Sequence, residues 1–384
     1  MAREYIPAIA TQSVGRAAHH KLEEKLLLCS QYGFKAVEIF FEDLEGVARS
    51  LPESYQVQPE GSSFADSSHW QEQLIAAASY THDLCGQVQL HVLCLQPFMN
   101  YEGLRDRTRH QARIREIHFW ILIAKQLHTD LIQVPSSLLS ASECTGDRKT
   151  IVADLRELAN IGLQQSPVIR FSYEALSFGT HINLWEDAWD IVQEVDRSNF
   201  GTCLDTFNLA GRAYADPAAP SGLNPNAEQI IRKSINRLRT HLDPAKVFYV
   251  EACDGQRLDT PLVAGHPFYN PDQPARMSWS RNSRLFPLEE GGYLPVCEIL
   301  QAICDAGYKG YVSFEFFSHT ANLPGPTVPS DLAKRAKLSW DRLEEKMGWN
   351  KTELLPRQST AEEERPDIRL AHHDVARYLP QITA

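Results

Sequence analysis

Short apolar runs alternate with longer stretches of helical apolar spacing along most of the chain. An apolar run of roughly six residues bounded by turn residues predicts a buried strand. Apolar positions three and four apart predict a helix with one buried face. On this basis the first strand is Ile6–Thr11, and the helix after it is Leu22–Gly33, closed by a helix-stopping glycine. Ala36–Asp43 precedes a helix over Ser67–Leu84, and Val88–Leu95 precedes Arg107–Leu127. Asp130–Pro135 precedes Arg148–Gly162, Val168–Leu176 precedes Leu184–Val195, and Phe200–Thr206 precedes Ala227–His241. Val247–Cys253 leads through a long loop to Leu294–Ala306, and Tyr311–Phe317 leads to Ser330–Lys346.

These are eight strand–helix pairs. Near-continuous apolar strands interleaved with helices predict a parallel sheet covered by helices, and eight such units predict an α/β fold of the (β/α)8 TIM-barrel type. A doubly wound open sheet is the alternative, but no GxGxxG follows the first strand. Two segments break the rhythm. Ser50–Ser67 is polar, with scattered Pro and Gly, and predicts a surface loop. Asp254–Gly292, after the seventh strand, carries Arg276, Trp279, Arg281, Arg284 and Phe286, which favours a lid or substrate-binding loop. Residues 1–350 are expected to form one barrel domain and 351–384 a polar C-terminal extension or interface arm.

Charge and composition narrow the function classes. The chain has 384 residues, with 38 Lys+Arg against 49 Asp+Glu, a formal net charge of −11. That balance argues against nucleic acid and against an anionic membrane surface as partner. No run of 18 apolar residues offers a membrane span, and the N-terminus shows no secretory pattern. The 8 cysteines form no CxxC pair and sit mostly in apolar runs, so a reducing, cytoplasmic setting is expected. The oligomeric state stays open, a homo-oligomer included.

In a barrel the chemistry sits at the C-terminal ends of the strands. Glu174, Asp205, Glu251 and Glu315 fall at the ends of four consecutive predicted strands. A lone strand-end carboxylate is most often a helix cap or a surface ion pair. Four converging on one point is a different matter, because like charges would force protonation unless a cation sits among them. All-oxygen ligation suits a hard divalent cation such as Mg²⁺ or Mn²⁺. Asp254 competes with Glu251 for the seventh-strand place. Glu38 on the second strand is a further candidate to line the site, and His91 on the third is a candidate acid–base group. His181 is equally readable as a metal neighbour or as part of a turn.

Several stretches then carry a resemblance. YEAL, CLDTFN, FYVEACDG and VSFEFF are similar to the xylose-isomerase-like, metal-dependent barrels. GFKAVEIFFEDLEGVARS, LHVLCLQPFMNYEGL, EALSFGTHINLWEDAWDIV and WSRNSRLFPLEEGGYLPV resemble the fungal 3-dehydroshikimate dehydratases of quinate catabolism, a similarity spanning roughly Ile6 to Trp349. The resemblance implies a divalent metal (Mn²⁺, Mg²⁺ or Co²⁺) held by Glu174, Asp205, Glu251 and Glu315. It implies conversion of 3-dehydroshikimate to protocatechuate through an enolate and β-elimination of water. The candidate bases are His91, Glu251 and Glu174. The substrate carboxylate calls for a bidentate cation, for which Arg284 with Ser280 is the first choice and Arg281 the second. Two departures from the family pattern stand out. Relatives often carry His or Gln at the place of Glu251, and Asp-x-x-His at the place of Asp205-x-x-Asn208. Asn208 can orient water or substrate but cannot carry a proton. A sugar or sugar-phosphate isomerase or epimerase is the alternative enzyme, and a catalytically impaired metal-binding relative is the non-enzyme reading. The endonuclease branch would need more histidine ligands and a basic face.

Overall fold

In the computed structural model the eight apolar runs become the eight parallel strands of a closed barrel. Residues 4–55 and 67–350 are described; residues 56–66 of the expected Ser50–Ser67 loop, and the expected extension at 351–384, lie outside them. The strands are β1 (Tyr5–Ala10), β2 (Ala36–Phe40), β3 (His91–Gln96), β4 (Leu131–Pro135), β5 (Arg170–Glu174), β6 (Phe200–Asp205), β7 (Val247–Glu251) and β10 (Gly310–Phe314). Each pairs with the next, and β10 closes on β1 with Ile6 opposite Tyr311 and Ile9 opposite Phe314. The outer layer is α1 (Leu22–Gln31), α3 (Ser67–Gln87), α4 (Arg107–Gln126), α5 (Arg148–Leu163), α6 (Trp185–Val195), α8 (Ala227–His241), α10 (Val296–Asp305) and α11 (Val328–Met347). Among the described residues no helix is long and apolar enough to cross a membrane.

Side chains alternate along a strand, and that alternation builds the site. Ala8, Ala36, Cys94, Leu131, Cys203 and Tyr249 form a small cluster inside the barrel. Two residues after five of them stand Glu38, Gln96, Gln133, Asp205 and Glu251, one layer nearer the C-terminal mouth. By the same step Glu174 follows Ser172 and Glu315 follows Ser313. The other strand face carries the large apolar residues, such as Ile9, Val37, Ile39, Phe171 and Phe314, packed against the helices.

Two helices follow their strands with no loop between, and the sequence pattern did not predict them. They are α2 (Phe41–Ala48) after β2 and α7 (Thr206–Ala213) after β6. Glu42 and Asp43, expected at a strand end, therefore open α2. Glu42 pairs with Arg16, and Asp43 with the buried Lys25, whose ammonium also donates to Gly15 O at 2.9 Å.

The loop after β7 is ordered. A two-stranded antiparallel pair, β8 (Asp254–Gly255) with β9 (Arg284–Leu285), flanks α9 (Ala275–Asn282). Asp254 does not join the carboxylate cluster. Its Oδ1 accepts the backbone N–H groups of Gly255 (2.7 Å), Tyr293 (3.1 Å) and Leu294 (2.9 Å), and so staples the two ends of the loop. Trp279 of α9 donates to Gln256 O at 2.8 Å. A Cβ at Gly255 would lie 2.3 Å from that indole, so only glycine lets α9 approach.

Candidate metal centre

Four strand ends deliver four carboxylates to one point. Glu174, Asp205 and Glu251 are the last residues of β5, β6 and β7, and Glu315 follows β10 directly. One oxygen from each lies within 4.8 Å of one from every other, and all four residues are buried. Asp205 is held by its own helix start, because Oδ1 accepts the Phe207 N–H at 2.8 Å as the cap of α7.

Amides and one arginine surround the carboxylates. Asn208, on the first turn of α7, donates to Glu174 Oε1 and to Asp205 Oδ2, each at 2.7 Å, and accepts the Ser177 N–H at 3.0 Å. Gln133 donates to Glu174 Oε2 (2.8 Å) and Glu251 Oε1 (3.3 Å). Gln96 bridges Glu38 Oε2 (3.1 Å) and Glu315 Oε1 (3.2 Å). Arg284 is buried with its Nη1 2.8 Å from Asp205 Oδ2 and 2.9 Å from Glu315 Oε2. Its Nε and Nη2 both donate to Ser280 Oγ, at 3.2 and 3.1 Å, and its guanidinium lies 4.3 Å from the Phe207 ring centroid.

The charges do not balance. Four ionised carboxylates against one guanidinium leave a net of minus three in a water-poor pocket. Burial, reinforced by the neighbouring Glu315 charge, pushes Glu174 and Glu251 well above the usual carboxylate range. Burial raises Asp205 as well, against the Arg284 charge, and raises Glu315 to about 7. Glu251 Oε2 is buried with no hydrogen-bond partner. A divalent cation meets each of these needs, and an all-oxygen donor set is the chemistry such a cation takes. The residues present thus fit a divalent metal. A second acidic group, His110, Asp154 and Glu157, is already paired, Asp154 with Arg107 at 2.7 Å and Glu157 with His110 at 2.8 Å.

Above the carboxylates opens a cavity of about 550 Å³. Glu174, Glu315, Gln96, Gln133, Ser280 and Arg284 reach its floor. Phe40, Phe178 and Phe317 contribute apolar walls, and Arg16 and Arg281 also line it.

Four sequence expectations change here. His91 is the first residue of β3, exposed, with its ring stacked on Tyr311 at 5.7 Å. It lies at the opposite end of the barrel, roughly 16 Å of strand away from the site, and is not its base. The strand begins later than its apolar run because Gln89 turns the chain with φ +57°. Glu38 lies behind Gln96 rather than on the cavity surface. Burial raises its carboxyl, and it accepts Ser313 Oγ and Gln96. His181 is a turn residue outside the cavity, its Nε2 3.4 Å from Cys144 O. Arg284 is bound to two of the cluster carboxylates rather than free for a substrate. The amides Gln96 and Gln133 were missed, although Gln133 stands on β4 at the inward parity set by Leu131.

The fold and the four carboxylates define a barrel whose buried acidic cluster could hold a cation beneath a small-molecule cavity. The sequence pattern of the xylose isomerase-like TIM barrel family matches residues 26–342, and the chain belongs to that family. It is 48% identical to the 3-dehydroshikimate dehydratase of Neurospora crassa over 340 residues, covering 88% of this chain and 92% of that enzyme. It is 28% identical over 300 residues to the 3-dehydroshikimate dehydratase of Pseudomonas aeruginosa, covering 77% of this chain and 36% of that longer protein. Among solved structures it resembles a xylose isomerase-like TIM barrel/4-hydroxyphenylpyruvate dioxygenase fusion protein, with a TM-score of 0.65 at 25% identity. That match covers 90% of this chain and 44% of the fusion.

Proposed function

We propose that this protein is a hydro-lyase that dehydrates 3-dehydroshikimate to protocatechuate. The observation that carries this reading is the near-full-length match to the Neurospora crassa enzyme. The carboxylate centre beneath an arginine-bearing cavity supplies chemistry suited to that reaction. Glu174, Asp205, Glu251 and Glu315 would hold the divalent metal. Bound there, it would act as a Lewis acid on substrate oxygens.

The chain's own residues do the rest. The reaction removes a proton α to the ketone and expels the hydroxyl β to it as water, and the ring becomes aromatic. With His91 at the far end of the barrel, the base falls among the carboxylates. Glu174 is the better placed, since it reaches the cavity floor, whereas Glu251 is fully buried behind it. Gln133 and Asn208 fix the two oxygens of Glu174. Arg284 and Ser280 fix Asp205 and Glu315 from the other side. These carboxylates, amides and the arginine are buried, so their interactions act at low dielectric. The substrate is a small carboxylic acid. All eight cysteines are free thiols, which fits a cytoplasmic location.

The test is direct. Purified protein with Mn²⁺, Mg²⁺ or Co²⁺ should turn 3-dehydroshikimate into a product with aromatic absorbance. Folded protein that forms none with any of these metals overturns the reading. Glu315→Gln should remove metal-dependent turnover while leaving the barrel folded by circular dichroism.

A further inference from the structure

The dehydratase reading leaves the substrate carboxylate without a cation, because Arg284 is consumed at the floor. Its Nη1 serves Asp205 and Glu315, and its Nε and Nη2 serve Ser280. Resting on that reading, we propose that Arg16 and Arg281 together form the clamp that receives the substrate carboxylate at the cavity mouth.

Both side chains line the cavity that opens over the four carboxylates. Arg16 comes from the turn after β1. Its guanidinium lies over the Phe40 ring at 5.5 Å and the Phe317 ring at 6.0 Å, and Glu42 holds it from behind. Its Nε is buried and has no hydrogen-bond partner. Arg281 stands in the last turn of α9. Its Nη1 donates to the neutral Gln273 Oε1 at 2.8 Å, and among the described residues it forms no ion pair. Partial burial and the Arg16 charge hold the Arg281 guanidinium below its ordinary value. Two cations lining one cavity, one of them set against two apolar rings, form a site for an anion with two oxygens.

The polarity of the ligand matches. In 3-dehydroshikimate the carboxylate lies across the ring from the hydroxyl that neighbours the ketone. A molecule with its ketone and hydroxyl oxygens at the acidic floor would therefore present its carboxylate toward the mouth. Arg16 and Arg281 would then distinguish this substrate from a neutral polyol, which offers them nothing to pair with.

Catechol differs from protocatechuate only by lacking the carboxylate, so the pair isolates the clamp. Binding of both to the Mn²⁺-loaded full-length protein is measured by calorimetry, beside turnover of 3-dehydroshikimate. The unaltered protein should prefer protocatechuate by about tenfold or more. In Arg16→Met/Arg281→Met that preference should fall toward one, with catechol affinity unaltered. Loss of turnover should appear in KM more than in kcat. Arg281→Met alone, in the last turn of α9, should lower the preference about threefold or more, and it carries the test if the Arg16 variant fails to fold. A protocatechuate preference that survives in the folded variants, with the unaltered protein turning over substrate, overturns the clamp and leaves the dehydratase reading standing. No turnover by the unaltered protein overturns both.

Discussion

Asn208 shows how much one side chain can be asked to do. It stands three residues after Asp205, which on a helix start is one turn away, so its amide can reach back to the capping carboxylate. Both donor contacts go to carboxylates of the centre, and its oxygen is taken by the Ser177 N–H. It thus sets the directions of Glu174 and Asp205 together. Asn208→Leu should weaken Mn²⁺ binding roughly 10–100-fold, read by calorimetry, with the fold intact. Asn208→Asp also loses both donor contacts but adds an anion that attracts the cation, so it should weaken Mn²⁺ binding less than Leu does. An affinity retained in both variants would mean that the carboxylates orient themselves. The four strand-end carboxylates were legible because charge inside an apolar run is conspicuous. The amides beside them were not, since a glutamine in a strand carries no such signal. Gln133 stood at the inward parity set by Leu131. Gln96 had no readable parity, because the β2–β3 register slips by one after Val37 and places Cys94 opposite Glu38.

The same limit applies to whole elements. Eight strands announced themselves as apolar runs, and their order in the barrel follows from the order in the chain. The helices α2 and α7 went unseen because no turn residue separates them from β2 and β6. The apolar run simply continues while the backbone changes. His91 was misplaced for the converse reason, since the turn before β3 is made by Gln89 and not by a glycine. The loop after β7 reads by composition as a lid or substrate-binding loop, and it is tied at both ends by one carboxylate. Asp254 is buried and held up at about 6 by that burial, against three backbone N–H groups that favour its charged form. Asp254→Ala leaves those three donors without an acceptor. It should cost at least about 1–3 kcal/mol in urea unfolding. Because β9 and α9 carry Arg284 and Arg281, it should also raise KM for substrate. Asp254→Asn keeps an acceptor at Oδ1 and should be the milder change. Equal stability of the Ala variant would mean that the loop is held by Trp279 and Arg276 instead.

The barrel as a whole stores its electrostatic cost in one place, and that makes its stability depend on metal and pH together. An ordinary glutamate titrates at about 4.3 in an unfolded chain. Glu315 is raised to about 7 in the metal-free fold, and Glu174, Asp205 and Glu251 are raised too. A group whose folded value is raised binds its proton more tightly in the fold. Its contribution to stability is therefore complete below the unfolded value and is lost as pH rises through the folded one. The metal-free protein should accordingly lose stability between about pH 5 and pH 8. Metal binding runs the other way, because the cation must displace those protons and so binds more tightly as pH rises. At a free metal concentration of about 100 Kd the gain is about 2.7 kcal/mol. Thermal unfolding with Mn²⁺ and with a chelator, compared at several pH values, should show a metal-induced rise in Tm that grows from about pH 5 to pH 8. Glu251→Gln, which removes one anion from the cluster, should flatten the pH dependence of the chelated protein and shrink the metal-induced rise. A metal-induced rise in Tm that stays constant across that range would mean that the four carboxylates are already ionised without the cation, and that the charge-balance argument for the centre is wrong.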